Sequence, residues 1–119
     1  MAGAAIGLDL LEVERMERAL ERRPALAQRL FHPGELAYAS GRGRPGQHLA
    51  ARFCAKEAVS KALGLAVFAP LDIEVLGGGG DVGLALHGAA RERAGELGVE
   101  VDFSMTHTRA LAAAVAIAR

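Results

Sequence analysis

The sequence is poor in cysteine, in aromatic residues and in long apolar runs. Its single cysteine, Cys54, excludes a disulfide framework and a zinc site built from several cysteines, and it favours a reducing, cytoplasmic setting. The apolar run at residues 111–118 is far shorter than the roughly 20 residues that cross a bilayer, so a membrane is not expected as a partner. With an aromatic content of 4%, the core must consist mainly of leucine, valine and alanine.

The chain also lacks a net charge, since it has 14 basic and 14 acidic residues. Nucleic acid is therefore not expected as a partner. The charge is unevenly distributed, with +3 over residues 1–63 and −3 over residues 64–119. An acidic partner should bind the N-terminal half. The length of 119 residues is that of a single domain.

Hydrophobic periodicity and turn residues predict a mixture of helices and strands. The first strand, residues 5–10, is expected to be buried because it is almost entirely apolar. A loop is expected at residues 41–46, where Gly and Pro cluster. The predicted helices cover residues 12–22, 26–30, 48–63 and 89–97, with a short one starting at Pro33, and further strands are predicted at residues 71–76, 82–86, 99–106 and 110–118.

One predicted helix contains the only two lysines, Lys56 and Lys61, although the chain has twelve arginines. This bias suggests sites that need a compact ammonium group. Glu57 and Lys61 are one helical turn apart, which fits either a simple ion pair or a carboxylate for a metal beside an ammonium for a phosphate. Cys54 lies on the same helix and is expected to be a buried small hydrophobe.

Asp9 interrupts the apolar segment 6–11, where a carboxylate needs a partner. It either caps the helix that follows or joins Glu57 in binding Mg²⁺, which takes few protein ligands. Near the C-terminus, residues 104–108 combine hydroxyl groups with His107. No functional role is expected for the other three histidines, His32, His48 and His87. The sequence contains neither a P-loop nor a Gly-x-Ser-x-Gly motif.

Three arginines, Arg15, Arg18 and Arg22, fall on one face of the helix predicted at residues 12–22. Glutamates lie beside this arginine stripe. The stripe is either a solvated surface balanced by its own glutamates or a docking site for an acidic partner.

Three segments together resemble a known family. Residues 6–15, Ile-Gly-Leu-Asp-Leu-Leu-Glu-Val-Glu-Arg, are similar to the opening motif of the holo-[acyl-carrier-protein] synthases, the short 4′-phosphopantetheinyl transferases. Residues 52–64, Arg-Phe-Cys-Ala-Lys-Glu-Ala-Val-Ser-Lys-Ala-Leu-Gly, resemble their second and most specific motif, and residues 104–108 resemble the third. The chain departs from the family at residues 81–84, Asp-Val-Gly-Leu, where a Gly-Lys-Pro is usual.

The resemblance implies an α+β fold of the 4′-phosphopantetheinyl transferase type: a first strand, then helices, then antiparallel strands, with one domain per subunit. It also implies a homotrimer with active sites at the subunit interfaces. The reaction would be attack of a carrier-protein serine on the β-phosphate of coenzyme A, with adenosine 3′,5′-bisphosphate leaving. The carrier could serve fatty-acid or polyketide synthesis.

The resemblance also assigns roles to residues. Asp9 and Glu57 would bind Mg²⁺, Lys61 would balance phosphate charge, and either Glu57 or a metal-bound water would accept the serine proton. The coenzyme A contacts would be Arg52, Lys61, His107 and Thr108, with His107 reaching the nucleotide from a neighbouring subunit. The stripe Arg15, Arg18 and Arg22 would dock the acidic carrier protein.

Two alternatives from other classes stay open at this point. One is a trimeric module that has kept the fold but lost activity, which the missing Gly-Lys-Pro would suggest. The other is a magnesium-dependent nucleotide hydrolase that uses the same carboxylates.

Overall fold

The computed structural model describes residues 5–119, and its strands and helices follow one another in the order that the sequence predicts. A short 3₁₀ turn at Pro70–Asp72 precedes β2. The strands are β1 (Ala5–Glu12), β2 (Ile73–Gly78), β3 (Asp81–Leu86), β4 (Val101–His107) and β5 (Leu111–Ala118), and the helices are α1 (Val13–Arg22), α2 (Leu26–Leu30), α3 (Pro33–Ser40), α4 (Pro45–Ala62) and α5 (Gly88–Leu97).

The strands form two separate antiparallel units. One is a three-stranded sheet in the order β1-β5-β4, in which Asp9 lies opposite Ala114 and His107 opposite Ala112. The other is the two-stranded hairpin β2–β3. The α+β fold class implied by the resemblance is therefore confirmed.

Helix α4 packs across the inner face of the three-stranded sheet at unusually short range. A Cβ atom at Gly7 would lie only 1.9 Å from the carbonyl oxygen of Ala58. On β5 the inward-facing residues are all alanine, and each is buried: Ala112, Ala114, Ala116 and Ala118. Small side chains on the sheet thus let the helix backbone come close to β1.

A buried ion pair joins α4 to α3 and β2. The Nζ of Lys56 lies 2.8 Å from Oε1 of Glu35, and both side chains are completely buried. The same ammonium donates to the carbonyls of Leu30 at 2.7 Å and Pro70 at 3.0 Å. Glu35 accepts hydrogen bonds from the backbone N–H groups of His32 and Val75. The pair is fully satisfied, so Lys56 is a structural residue, although burial lowers its pKa.

The structure corrects one expectation about β1. This strand is an edge of the sheet and only its inner face is covered, so it is not a buried strand. Ile6, Leu8 and Leu10 point outward and are 66%, 65% and 64% exposed. Exposed apolar side chains that lie side by side, as on the outer face of β1, are typical of a surface that contacts another molecule.

Several element boundaries differ by one to three residues from the sequence prediction, and two of these differences have a local cause. Helix α4 begins at Pro45, three residues earlier than predicted, because proline suits the first position of a helix. Gly77 and Gly78 belong to β2 and pair with β3, so only Gly79 and Gly80 form the turn. The predicted ends of the helices at residues 63 and 97 fit the structure, since the glycines that follow, Gly64 and Gly98, both have a φ of +64°, as is common just after a helix.

Within the described residues 5–119, none of the helices has both the length and the apolar character needed to cross a bilayer.

We predict that Gly7→Ala destabilises the fold by at least about 3 kcal/mol, because the added methyl group would collide with the backbone of α4. The matched control is Gly95→Ala on α5, where a Cβ meets nothing within 4 Å. This control should stabilise the protein by about 0.5–1 kcal/mol, since alanine is the better helix former. Urea unfolding measures both, and equal stability of the two variants would contradict the close-packing argument.

Candidate functional site

A cleft of about 400 Å³ opens between β1, α1 and α4. Asp9 from β1, Glu57 from α4 and Arg15 from α1 are its charged residues. Its wall is otherwise apolar and consists of Leu10, Leu11, Met16, Ala19, Leu26, Leu30 and Phe53. Asp9 and Glu57, which the sequence alone does not show to be neighbours, thus line the same cleft.

The strand and the helix position these carboxylates. Asp9 is on the same inward face of β1 as Gly7, so the close approach at Gly7 brings the Asp9 side chain down towards α4. Glu57 is partly exposed on α4, beside the buried Lys56. Its side chain therefore faces the cleft while its neighbour faces the core.

Lys61 contacts β1 directly. Its Nζ donates to the carbonyl of Leu8 at 2.9 Å and to Oδ1 of Asp9 at 3.3 Å. The Lys61 side chain is 52% exposed, so the ammonium group remains accessible to a ligand. In the described part of the chain Lys61 forms its ion pair with Asp9 and none with Glu57, so the simple i,i+4 ion pair is not formed.

The alternative role of Asp9 as a helix cap is also wrong. Helix α1 begins at Val13, and its N-cap is Glu12, which makes no side-chain capping bond. Asp9 lies too far back along the strand and uses its carboxylate to hold Lys61.

The electrostatics of the cleft favour a cation. Burial, and then the negative charge of Asp9, raise the pKa of Glu57, while Lys61 opposes the shift. Desolvation and the same two carboxylates raise the pKa of Cys54 to about 12. That thiol is fully buried and protonated near neutral pH, which confirms Cys54 as a core residue. The carboxylate oxygens of Asp9 and Glu57 are hard donors of the kind that Mg²⁺ prefers.

His107 lies in a second cavity of about 300 Å³, at the end of β4. Tyr38, His48, Arg52 and Thr106 also line this cavity. The rings of His48 and His107 meet edge-on, with centroids 5.0 Å apart. Burial and the neighbouring His107 lower the pKa of His48. The Nδ1 of His107 is buried and has no hydrogen-bond partner in the described chain.

Arg52 and Thr108 have structural partners within the chain. Arg52 is 1% exposed and donates to the carbonyls of Val75 and Gly77, which attaches β2 to α4. The Thr108 hydroxyl accepts hydrogen bonds from the N–H groups of Ala110 and Leu111 in the turn between β4 and β5. Their contacts with coenzyme A stay predictions.

The arginine stripe forms one side of a shallow groove of about 420 Å³ on α1. Arg15, Arg18 and Arg22 all line it and are exposed, as the helical period predicts. Arg18 pairs with Glu14 one turn earlier. Arg15 also lines the carboxylate cleft, so the groove and the cleft are continuous.

Sequence reasoning missed the roles of the remaining histidines. His48 packs between Tyr38 and His107, and His32 and His87 converge on Glu74. No local spacing could have signalled these contacts, because the partners lie on elements far apart in the chain.

Comparison with known proteins identifies relatives over nearly the whole chain. The family model described as the 4′-phosphopantetheinyl transferase superfamily matches residues 5–115. A holo-[acyl-carrier-protein] synthase of Moorella thermoacetica is 49% identical over 115 residues, which cover 93% of this chain and 90% of that protein. The corresponding synthase of Streptomyces coelicolor is 46% identical over 121 residues, covering 99% and 98% of the two chains.

A solved structure agrees with these sequence matches. The ACPS–CoA complex of Chronobacterium ammoniagenes is 29% identical and has a TM-score of 0.85. The superposition covers 99% of this chain and 98% of that one.

Proposed function

This chain belongs to the 4′-phosphopantetheinyl transferase superfamily, and we propose that Asp9, Glu57 and Lys61 are the residues with which it performs the transfer. The chain moves the 4′-phosphopantetheine group of coenzyme A onto a serine of apo acyl carrier protein, as its relatives do. The observation that carries the residue assignment is their convergence: two carboxylates share one cleft, and the Lys61 ammonium lies 3.3 Å from Asp9.

Asp9 and Glu57 would hold a Mg²⁺ ion between β1 and α4. Their oxygen donors fit this ion, and the pKa of Glu57 is raised first by burial and then by the charge of Asp9, which a divalent cation would offset. When bound, the ion supplies charge neutralisation to the pyrophosphate of coenzyme A. The chain's own residues would position the two substrates for the transfer.

Lys61 and Glu57 have separate tasks in this proposal. The ammonium of Lys61 lies at the rim of the cleft and balances charge on the departing phosphate. Glu57, or a water on the metal, would take the proton of the attacking serine hydroxyl. The apolar wall provided by Phe53 and its neighbours keeps water away from the phosphate and so favours transfer over hydrolysis.

The apolar outer face of the three-stranded sheet supports a homotrimer. Its exposed side chains are Ile6, Leu8, Leu10, Leu111 and Val115. Such a continuous apolar surface on a chain of this size is typical of a subunit interface. His107, with its unpartnered nitrogen at the end of the same sheet, would then be close to a ligand held by a neighbouring copy.

For the transfer itself, we predict that Asp9→Asn and Glu57→Gln each lower turnover by about 100-fold or more, because each removes one of few ligands to a hard cation. Lys61→Arg should lower it by about 10²–10³-fold, since a planar guanidinium cannot replace a compact ammonium beside Asp9. The assay mixes apo acyl carrier protein, coenzyme A and Mg²⁺ and measures the mass of the carrier.

The matched control is Glu96→Gln, an exposed carboxylate on α5 that should leave turnover unchanged. Mass gain by the carrier indicates transfer. Release of nucleotide from coenzyme A without a mass gain by the carrier would indicate a hydrolase. No reaction at all would indicate an inert module. Near-normal turnover in the Asp9 or Glu57 variant would overturn the metal assignment.

For the trimer, we predict that Leu8→Glu gives monomers, because it places a charge in the middle of the apolar sheet face opposite Val115. Light scattering should find three copies of the 12.4 kDa chain in the wild type. Val67→Glu, at an apolar residue that is 76% exposed outside the sheets, is the control and should remain trimeric. A wild-type monomer would exclude the trimer. A trimer that survives Leu8→Glu would show that the interface lies elsewhere.

We also propose that the arginine stripe docks the acidic carrier protein. Arg18→Glu combined with Arg22→Glu should raise KM for the carrier by about tenfold, the lower end of the gain from electrostatic steering. The KM for coenzyme A should not change. Arg15 is left intact because it also lines the carboxylate cleft.

The control reverses an equal charge outside the groove, with Arg91→Glu and Arg119→Glu. The wild-type kcat/KM for the carrier should fall as salt rises above about 0.1 M, where the screening length is about 10 Å, and the stripe variant should lose this dependence. If both charge reversals affect the carrier equally, the stripe is an ordinary solvated surface.

A further inference from the structure

Three metal-ligating side chains converge outside the carboxylate cleft, on the side of the molecule that carries the β2–β3 hairpin. The Nε2 of His87 lies 3.0 Å from Oε1 of Glu74, and the Nδ1 of His32 lies 3.8 Å from the same oxygen. One ligand atom from each residue falls within 4.8 Å of the other two. The side chains are partly exposed, at 24% for His32, 20% for Glu74 and 46% for His87.

A backbone carbonyl fixes the orientation of the His32 ring and places a proton on its Nε2. Its Nε2 lies 2.7 Å from the oxygen of Leu71, which can only accept a hydrogen bond, so this nitrogen carries the proton. In the neutral ring, Nδ1 then presents a lone pair towards the Glu74 carboxylate. Two acceptors thus face one another without a proton between them, which a cation would satisfy. Metal-bound histidines are commonly oriented in this way, by a bond from the second ring nitrogen to a carbonyl.

We propose that His32, Glu74 and His87 bind a divalent transition-metal ion of the zinc type, with water as the fourth ligand. Two imidazoles and one carboxylate suit zinc and its neighbours, whereas Mg²⁺ prefers oxygen ligands alone. Ligands about 2.0–2.1 Å from a tetrahedral zinc ion lie about 3.3 Å from one another. The separations of 3.0 and 3.8 Å bracket this value, so small side-chain rotations complete the site.

The ion would fasten three segments that are distant in the sequence. His32 directly precedes α3, Glu74 is on β2, and His87 directly precedes α5. The β2–β3 hairpin already packs against the helices, since Arg52 of α4 donates to the carbonyls of Val75 and Gly77 and Glu35 of α3 accepts from the N–H of Val75. A metal at this point would add a further link between the hairpin and the segments that precede α3 and α5, separate from the residues proposed for the transfer reaction.

The test uses untagged, chelator-stripped protein in excess Mg²⁺, which occupies the carboxylate cleft, titrated with Zn²⁺ by calorimetry and with Co²⁺ by visible absorption. We expect one ion per chain and the intense absorption of four-coordinate Co²⁺. His32→Gln and His87→Gln should each weaken binding by more than about 100-fold, since even outer-sphere partners contribute about 10–100-fold. Glutamine at position 32 can still donate to the Leu71 carbonyl, so this variant should fold.

Two controls separate this site from the other histidines and from the cleft. His48→Gln removes a histidine that packs against Tyr38 and His107, and Asp9→Asn removes a carboxylate of the cleft. Both variants should bind Zn²⁺ as the wild type does. Loss of binding in either one, or binding that persists when His32 and His87 are both replaced, would overturn the proposal.

Thermal unfolding gives a second readout. Zn²⁺ should raise Tm in the wild type, His48→Gln and Asp9→Asn, and should leave it unchanged in His32→Gln and His87→Gln. The metal-free variants should have circular dichroism spectra like that of the metal-free wild type, which shows that they fold. A wild-type Tm that does not respond to Zn²⁺ at saturating binding would contradict the structural role.

Discussion

The close contact between α4 and the three-stranded sheet is the constraint on which the rest of the structure depends. At Gly7 there is no room for a side chain, because the backbone of Ala58 occupies the position of its Cβ. The buried alanines of β5 continue this close surface across the sheet. The short distance brings Asp9 into reach of Lys61 and places it on the same cleft as Glu57. A bulkier interface would separate the strand from the helix and divide the site between two surfaces.

The same helix uses its two lysines in opposite ways. Lys56 faces the core, where Glu35 and two carbonyls satisfy its ammonium group. A buried pair of this kind contributes little net stability, yet removing one partner leaves an uncompensated charge and typically costs about 3–5 kcal/mol. It therefore fixes the position of α3 and β2 against α4. Lys61 is exposed at the cleft and remains accessible to a phosphate.

The two faces of the three-stranded sheet differ in what covers them. Its inner face packs against α4 and carries Asp9. Its outer face is apolar along β1 and β5, a composition that suits contact with further copies of the chain. One small sheet can thus support both the chemistry and the assembly, because successive residues of a strand point to opposite sides.

The sequence by itself determined the order and type of the elements and the motif residues of the site. Local signals sufficed for these: proline at the start of α3, glycine at the ends of α4 and α5, and period-two alternation in β4. Only the tertiary structure decided which charges meet. Lys61 bonds to Asp9 rather than to Glu57, Lys56 is buried against Glu35, and His32 and His87 converge on Glu74. These pairings join residues on separate elements, and the short-range periods of helix and strand contain no information about contacts across the fold.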